Sequence, residues 1–471
     1  MSAEGIFPSV PAHWKKVTLG QLAKSSGGGI QTGPFGSQLH ARDYVTDGIP
    51  SIMPKNITVD AILTDDIARV SAEDIERLSK YKVQVGDVIY SRRGDVEKCA
   101  RITSKEDGWL CGTGCLRVRV LPGQVSTEYL HAYLCHPQVR EWIVRHAVGA
   151  TMPNLNTSIL NALPIVIPSK PEMEFISSVW LNVSEKIQLN QQINQTLEQM
   201  AQAIFKSWFV DFEPVKAKIA ALEAGGSEDD ALLAAMQVIS GKDPQQLTQL
   251  QTENPEHYAT LRATAELFPA AMQESELGEI PEGWEASTVG AEFDVTMGQS
   301  PPGSSYNESG EGSAFFQGRR DFGVRFPSNR VYCTEPKRMA KQGDTLLSVR
   351  APVGDVNIAN TDCCIGRGLA AIRHKTGCSS FTYYSVIHLG QALASYDSEG
   401  TVFGSINQKN LNSLLVIAPT KKVLEIFSNI VGKLDDRIKA QSNEMLALAE
   451  LRDTLLPKLL SGELSVNQDV D

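Results

Sequence analysis

The chain is 471 residues long and 42% apolar, about three times the usual single-domain size, so several cored units are expected and a lone small binding module is excluded. It holds no uncharged apolar run of membrane-spanning length, no basic and apolar leader over Met1 to Gly20, and eight scattered cysteines, which together predict a cytosolic protein with reduced thiols and no membrane span. The net charge of −11 disfavours nucleic acid only globally, because residues 1–170 carry +3, 171–282 carry −12, 283–419 carry 0 and 420–471 carry −2, leaving the flanking segments free to meet a polyanion.

In chain order, SAEDIERLSKYK at 71–82 reads as a helix, and QVGDVIYSRRGD, ending at Asp95, reads as strand, turn and strand. Residues 126–147 read as a helix, and LPIVIP, at 163–168, reads as a short buried strand. Residues 172–212 lack Gly and Pro and place Ile187, Asn190, Asn194, Leu197, Ile204 and Trp208 on one stripe, which predicts a long amphipathic helix. The acidic, Ala/Gln-rich stretch 213–282 reads as a partly helical connector. KQGDTLLSVRAPVGD then reads as strand, turn and strand, 379–396 as a helix, and LLVIAP as a strand. Residues 421–461 form a second helical stripe with Ile438, Met445, Leu448, Leu455 and Leu459. About forty residues at 1.5 Å each give a rod of about 60 Å. Two such rods would pack as an antiparallel coiled-coil-like pair, with Asn190 and Asn194 fixing register; two separate surface helices are the alternative.

The chain repeats itself. Trp14 and Gly20 of HWKKVTLG are echoed by Trp284 and Gly290 of GWEASTVG, and GDVIYSRRGD from Gly86 returns as GDTLLSVRAPVGD from Gly343 with three residues inserted. GTGCLRVR at 112–119 is echoed by GRGLAAIR at 366–373. GATMPNLNTSILNALPIVIP at 149–168 is echoed by GTVFGSINQKNLNSLLVIAP at 400–419, placing Asn156 over Asn407 and Asn161 over Asn412. Matches in one order along the chain define two diverged copies of an α/β unit.

Catalytic signatures are missing. There is no GxxxxGK[ST] phosphate loop, no Asn-Pro-Pro-aromatic or Asp-Pro-Pro-aromatic tetrapeptide and no HExxH. Cys111 and Cys115 with His131, Cys135 and His136 offer zinc-type ligands, but no CxxC pair exists and the segment reads as strand, so no metal is assigned. Binding chemistry remains. TGPFGSQLHARDY at 32–44 and GQSPPGSSYNESG at 298–310 set hydrogen-bonding side chains on glycine-rich frames, and arginines gather at the turns. The residues expected to face a duplex are Thr32, Phe35, Ser37, Gln38, Lys55, Arg92, Arg93, Lys98, Arg101, Asn154 and Asn156 in the first copy. In the second they are Gln299, Ser300, Gln317, Arg319, Arg320, Arg350, Asn407 and Lys409, with Arg325 counted in the same basic cluster.

The stretches TGPFGSQLHARDYVTDGIPSIMPKNI, GDVIYSRRGD, MPNLNTSILNALPIVIPS and NQQINQTLEQMAQAIFKSWFVDFEPV closely resemble the specificity subunit of type I restriction-modification systems. GQSPPGSSYNESGEGSAFFQGRRDFG, SINQKNLNSLLVIAP and LRDTLLPKLLSGEL extend the resemblance over essentially the whole chain. It implies a first DNA target-recognition domain at 1–170, a spacer helix at 171–212, a connector at 213–282, a second recognition domain at 283–419, and a second spacer helix and tail at 420–471. It also implies a non-catalytic subunit that reads an asymmetric bipartite site on double-stranded DNA. Two modification (methyltransferase) subunits would methylate adenine, and restriction (endonuclease and translocase) subunits would join through them. S-adenosylmethionine, ATP and Mg are then expected on those partners and no cofactor on this chain. The rival readings are a duplicated protein–protein scaffold that never touches DNA and an enzyme with built-in recognition domains.

Overall fold

The computed structural model describes residue 6 and residues 10–58, 61–149, 152–350, 352–398 and 404–464. Parts of the segments read from sequence, namely most of Met1 to Ser9, residues 150–151, 351 and 400–403 of the repeats and the tail from 465, lie outside the described residues. The chain divides into two compact units, Met1–Gln192 with Gln441–Asp471, and Ile193–Ala440, so the division falls inside both long helices.

In the first unit, Lys15–Thr18 pairs antiparallel with Pro164–Ile167. The Thr18 hydroxyl then accepts from the Gln21 amide at 3.2 Å while Gln21 Oε1 accepts from the Thr18 amide at 2.9 Å, a reciprocal cap that starts the helix Leu19–Ser25. An antiparallel sheet follows in the spatial order Gly29–Thr32, Cys115–Arg119, Val88–Ser91, Cys99–Arg101. A second sheet has the order Tyr44–Val45, Ala68–Val70, Ile49–Ile52, Leu110–Cys111, with its last pair parallel.

The second unit repeats this plan. Glu285–Thr288 pairs with Leu415–Ala418, and a sheet runs in the order Phe293–Met297, Leu369–His374, Thr345–Val349, Val353–Ile358. A five-stranded sheet contains the parallel pair Ser313–Phe316 and Cys363–Ile365 in the place of the parallel pair above.

The repeated residues turn out to be the ones that close each copy. Arg119 Nε donates to Asp87 Oδ1 at 2.7 Å, and Arg373 Nε donates to Asp344 Oδ1 at 2.6 Å, so the duplicated Gly-Asp turns and arginine strands hold a matching ion pair in each copy. A Cβ on Gly20 would sit 2.4 Å from Asn161 Oδ1, and one on Gly290 would sit 3.0 Å from Asn412 Cβ. A side chain would clash at Gly20 and would press on the asparagine at Gly290. Trp14 and Trp284 are both buried.

Three sequence readings change. The helix expected at 126–147 is two helices, Thr127–Cys135 and Pro137–His146, with His136 extended at ψ 136°. Pro137 lacks an N–H and pushes the preceding residue out of helical space. The helix expected at 379–396 is interrupted at Leu389 before Gly390. The segment 71–82 is a short helix, Ala72–Arg77, followed by a 3₁₀ turn. The connector is more ordered than its composition suggests. It holds the helices Glu213–Glu223, Glu228–Ser240, Pro244–Glu253 and Pro255–Glu266, a core around Met236, Leu247 and Leu261, and the hairpin Met272–Ser275 with Gly278–Pro281. Ser227, Asp243 and Asn254 cap three of these helices.

The long helices run over Lys170–Phe209 and Lys421–Leu460. In the first unit, Asn190 Nδ2 donates to Glu444 at 2.8 Å and the Arg452 guanidinium lies 5.1 Å from the Trp180 ring, so the two helical segments run antiparallel. In the second unit, Asn194 Nδ2 donates to the Ile438 carbonyl at 3.4 Å. Asn190, Trp208, Ile438 and Leu459 are buried, and Ile187, Leu197, Ile204, Met445, Leu448 and Leu455 are half-buried. Phe205, Trp208 and Phe209 continue into a core with Phe268, Trp284, Phe381 and Phe427.

Candidate nucleic-acid interface

In the first unit, five loop segments are drawn together at one end of the sheet Gly29–Arg119. A Cβ on Gly33 would lie 2.0 Å from the Gly112 carbonyl oxygen, so that approach requires glycine. The Arg92 amide donates to the Gly114 carbonyl at 2.8 Å, and the Leu155 amide donates to the Arg92 carbonyl at 2.9 Å. Arg93 bridges to Asn154, and the turn carrying the exposed Lys55 abuts Gly114 through Pro54. The Arg92 guanidinium stands 5.9 Å from the centre of the Phe35 ring, which is 53% exposed. Phe35, Lys55, Arg92, Arg93 and Asn154 therefore belong to one loop cluster.

The second unit builds the same junction from different side chains. The Gly298 amide donates to the Leu369 carbonyl at 2.9 Å, the Val349 amide to Gly368 at 2.9 Å, and the Ile406 amide to Val349 at 3.1 Å. Arg350 bridges to Ser405 where Arg93 bridges to Asn154. Gln299 joins through its amide to the Ile365 carbonyl at 3.0 Å, and Ser300 Oγ accepts from the Arg367 amide at 3.4 Å. Gln317 packs beside Gly366 and Gly368. Gln299, Gln317, Arg319, Arg320, Arg350 and Lys409 are exposed, although Arg319 is paired with Asp355 at 2.7 Å.

Several expected residues have structural partners. Asn156 Oδ1 accepts from the Ile159 amide at 2.9 Å and Asn407 Oδ1 from the Asn410 amide at 2.9 Å, so this echoed pair caps two matching short helices. Gln38 Oε1 accepts from the Phe35 amide at 3.2 Å and the Tyr81 hydroxyl at 2.7 Å, which anchors the loop while Ser37 stays exposed. Thr32 is half-buried at the end of its strand opposite Leu116. Lys98 is paired with Asp95, and Arg101 with Glu128 at 3.2 Å on the helix Thr127–Cys135.

Arg325 is a correction. It is not a surface cation but is buried, ion-paired with Glu198 and Asp435 on the two long helices, hydrogen-bonded to the Tyr384 hydroxyl at 3.0 Å and 4.5 Å from the Tyr383 ring. Burial pushes the Asp435 carboxyl above the usual range, against the pull of Arg325 and the Ser380 hydroxyl. Sequence reading missed Arg367, exposed between two glycines within the GRGLAAIR echo, and Met152, 62% exposed beside Asn154. The glycine-flanked turn was a usable signal for Arg367; an isolated methionine offers none.

Fold and loops define a duplicated architecture in which one main-chain frame presents two different sets of loop side chains. Residues 11–199 match the family model of the type I restriction modification DNA specificity domain. The chain is 28% identical over 483 residues to the type I restriction enzyme HindI specificity subunit of Haemophilus influenzae, covering 96% of this chain and 100% of that one. It is 28% identical over 415 residues to the putative MjaX specificity subunit of Methanocaldococcus jannaschii, covering 85% and 84%. The fold is similar to that of the type I restriction-modification S subunit from M. genitalium, with a TM-score of 0.50 at 14% identity over 96% of this chain and 98% of that one. Over most of its length the chain is similar to specificity subunits of type I restriction-modification systems, and its residues 11–199 match their DNA specificity domain. No described helix is long and apolar enough to cross a membrane.

Proposed function

We propose that this chain reads an asymmetric, bipartite site on double-stranded DNA in the cytoplasm, one half with each copy, and contributes recognition without catalysis. The observation that carries this is the repeated loop junction with dissimilar side chains. Arg93 and Arg350 occupy matching exposed places, which suits contacts to a backbone common to all sequences. Phe35, Lys55 and Asn154 stand against Gln299, Gln317 and Ser405, which suits readout of two different half-sites. The long helices act as the spacer and, with neighbouring surface, as the seat for two modification subunits. Those subunits carry S-adenosylmethionine for N6-methylation of adenine. Restriction subunits with ATP and Mg join through them.

The test is methylome sequencing of cells carrying this chain with its partner genes, before and after replacing residues 1–170 by the corresponding copy of a relative. One half of a single asymmetric methylated motif should change. A change in both halves would overturn the division of labour, and no motif dependent on this chain would favour a scaffold that does not bind DNA.

A further inference from the structure

The first unit contains a buried cluster that recognition does not use. Cys99, on the strand Cys99–Arg101, meets His131 and Cys135 from the helix Thr127–Cys135 that packs on that strand. His131 and Cys135 are four residues apart and so share a helix face. Cys99 Sγ lies 3.8 Å from Cys135 Sγ, which lies 3.4 Å from His131 Nε2, and all three donor atoms fall within 4.8 Å of one another. Tetrahedral zinc, with bonds of about 2.3 Å to sulfur and about 2.0 Å to nitrogen, sets sulfurs about 3.8 Å apart and sulfur about 3.5 Å from nitrogen. The Cys99–Cys135 and Cys135–His131 spacings match, and the third pair lies within 4.8 Å.

The surroundings support the same reading. The fully buried Tyr90 is paired with Cys99 across the strands, and its hydroxyl, whose pKa burial raises, is close enough to the Cys99 and Cys135 thiols for their charge to raise it further, which puts it within reach of a fourth position. A divalent ion with two thiolates and a neutral imidazole carries no net charge, so such a site can be buried without an orphaned ion. The second copy is an internal control. Tyr90 and Cys99 are directly paired across their strands, as Leu347 and Val356 are in the other sheet. Counting from the N-caps Ser126 and Cys378 places Tyr383 and Ile387 where His131 and Cys135 stand. All four polar positions are thus present together in one copy and altered together in the other.

We propose that Cys99, His131 and Cys135 form a structural zinc site in the first copy, with Tyr90 as the fourth donor. Binding exchanges two thiol protons for one ion and ties the sheet to the helix Thr127–Cys135. The His131 ring also meets Trp180 of the first long helix edge-on at 5.9 Å, so the same ion steadies the seat of the copy on that helix. The grouping differs from the one suggested by chain order, because Cys111 and Cys115 belong to a separate apolar core with Ile52 and Ile89.

The experiment uses the untagged full chain. Elemental analysis after growth with zinc should give about one ion per chain. Cobalt(II) added to the stripped protein should give thiolate charge-transfer absorption and the intense visible bands of four-coordination. The variant Cys99→Val/His131→Tyr/Cys135→Ile, built from the second copy's own side chains, should stay folded and bind neither, while Cys111→Ser/Cys115→Ser should still bind. A wild-type chain that takes up neither ion and does not melt higher with zinc would overturn the proposal, as would a triple variant that keeps its metal.

Discussion

Arg325 joins the second recognition copy to both long helices, and removing its charge tests whether that joint is an ion lock. Arg325→Ala leaves Asp435 and Glu198 facing each other, with side chains 18% and 22% exposed, and strips a cation from the face of Tyr383. Breaking a buried ion pair from one side costs about 3–5 kcal/mol; because both carboxylates keep some solvent, the cost should lie near the lower end, about 3 kcal/mol. Burial already holds the Asp435 carboxyl above its ordinary range and Arg325 pulls it down, so the variant raises it further. A carboxyl raised in the folded state contributes stability that is present below its unfolded value and is lost as pH rises through its folded value. Wild type and variant should therefore differ little near pH 4 and most near neutrality. Urea unfolding of the full chain, followed by near-ultraviolet circular dichroism at both pH values, measures this. Pairing Arg325→Met with Asp435→Asn should recover much of the loss, since only the more exposed Glu198 carboxylate then lacks its partner. A cost under about 1 kcal/mol at neutral pH, or one that does not change with pH, would refute the lock.

The loop junctions give further outcomes. Gly33→Ala and Gly298→Ala each drive a methyl to within 2.0 or 2.1 Å of a carbonyl oxygen, so each should cost about 2 kcal/mol and lower the melting temperature, while Gly36→Ala, with nothing nearby, should not. Asn156→Ala and Asn407→Ala each remove a helix cap worth about 1 kcal/mol, and the methylated motif should stay the same; an altered motif would show that they read bases. Arg93→Ala and Arg350→Ala should weaken DNA binding by the assembled complex equally on matched and mismatched sites and reduce the salt dependence by about one ion each. Discrimination at a single base lost with either arginine would reassign it to base readout.

The duplication and the two long helices were legible because glycines, capping asparagines and apolar stripes leave marks at fixed spacing. Gly20 with Asn161, and Gly290 with Asn412, are pairs whose chemistry is forced by close approach, so they recur in sequence. The candidate interface was less legible. A cap such as Asn156 and a base-reading asparagine look alike until the backbone places one at a helix start. Arg325 looked like its neighbours Arg319 and Arg320, and only long-range packing onto the helices removes it from the surface. The order of the acidic connector also escaped composition, because its small core rests on a few leucines and alanines spread over separate helices.

The junction that gathers the loops is built from main-chain hydrogen bonds, and this bears on how recognition can vary. The same pair of bonds passes through Arg92 in the first copy, to Gly114 and Leu155, and through Val349 in the second, to Gly368 and Ile406. A charged side chain and a small apolar one serve equally, because the amide and carbonyl make the bonds. Exposed neighbours on this frame can then change at a cost usually within about 0.5 kcal/mol. The side-chain contacts that cannot change so cheaply, Asp87 with Arg119 and Asp344 with Arg373, lie at the opposite strand ends from the loop junction. Under the proposed function, stability and readout rest on different atoms, and exposed loop residues can change without refolding the copy that carries them.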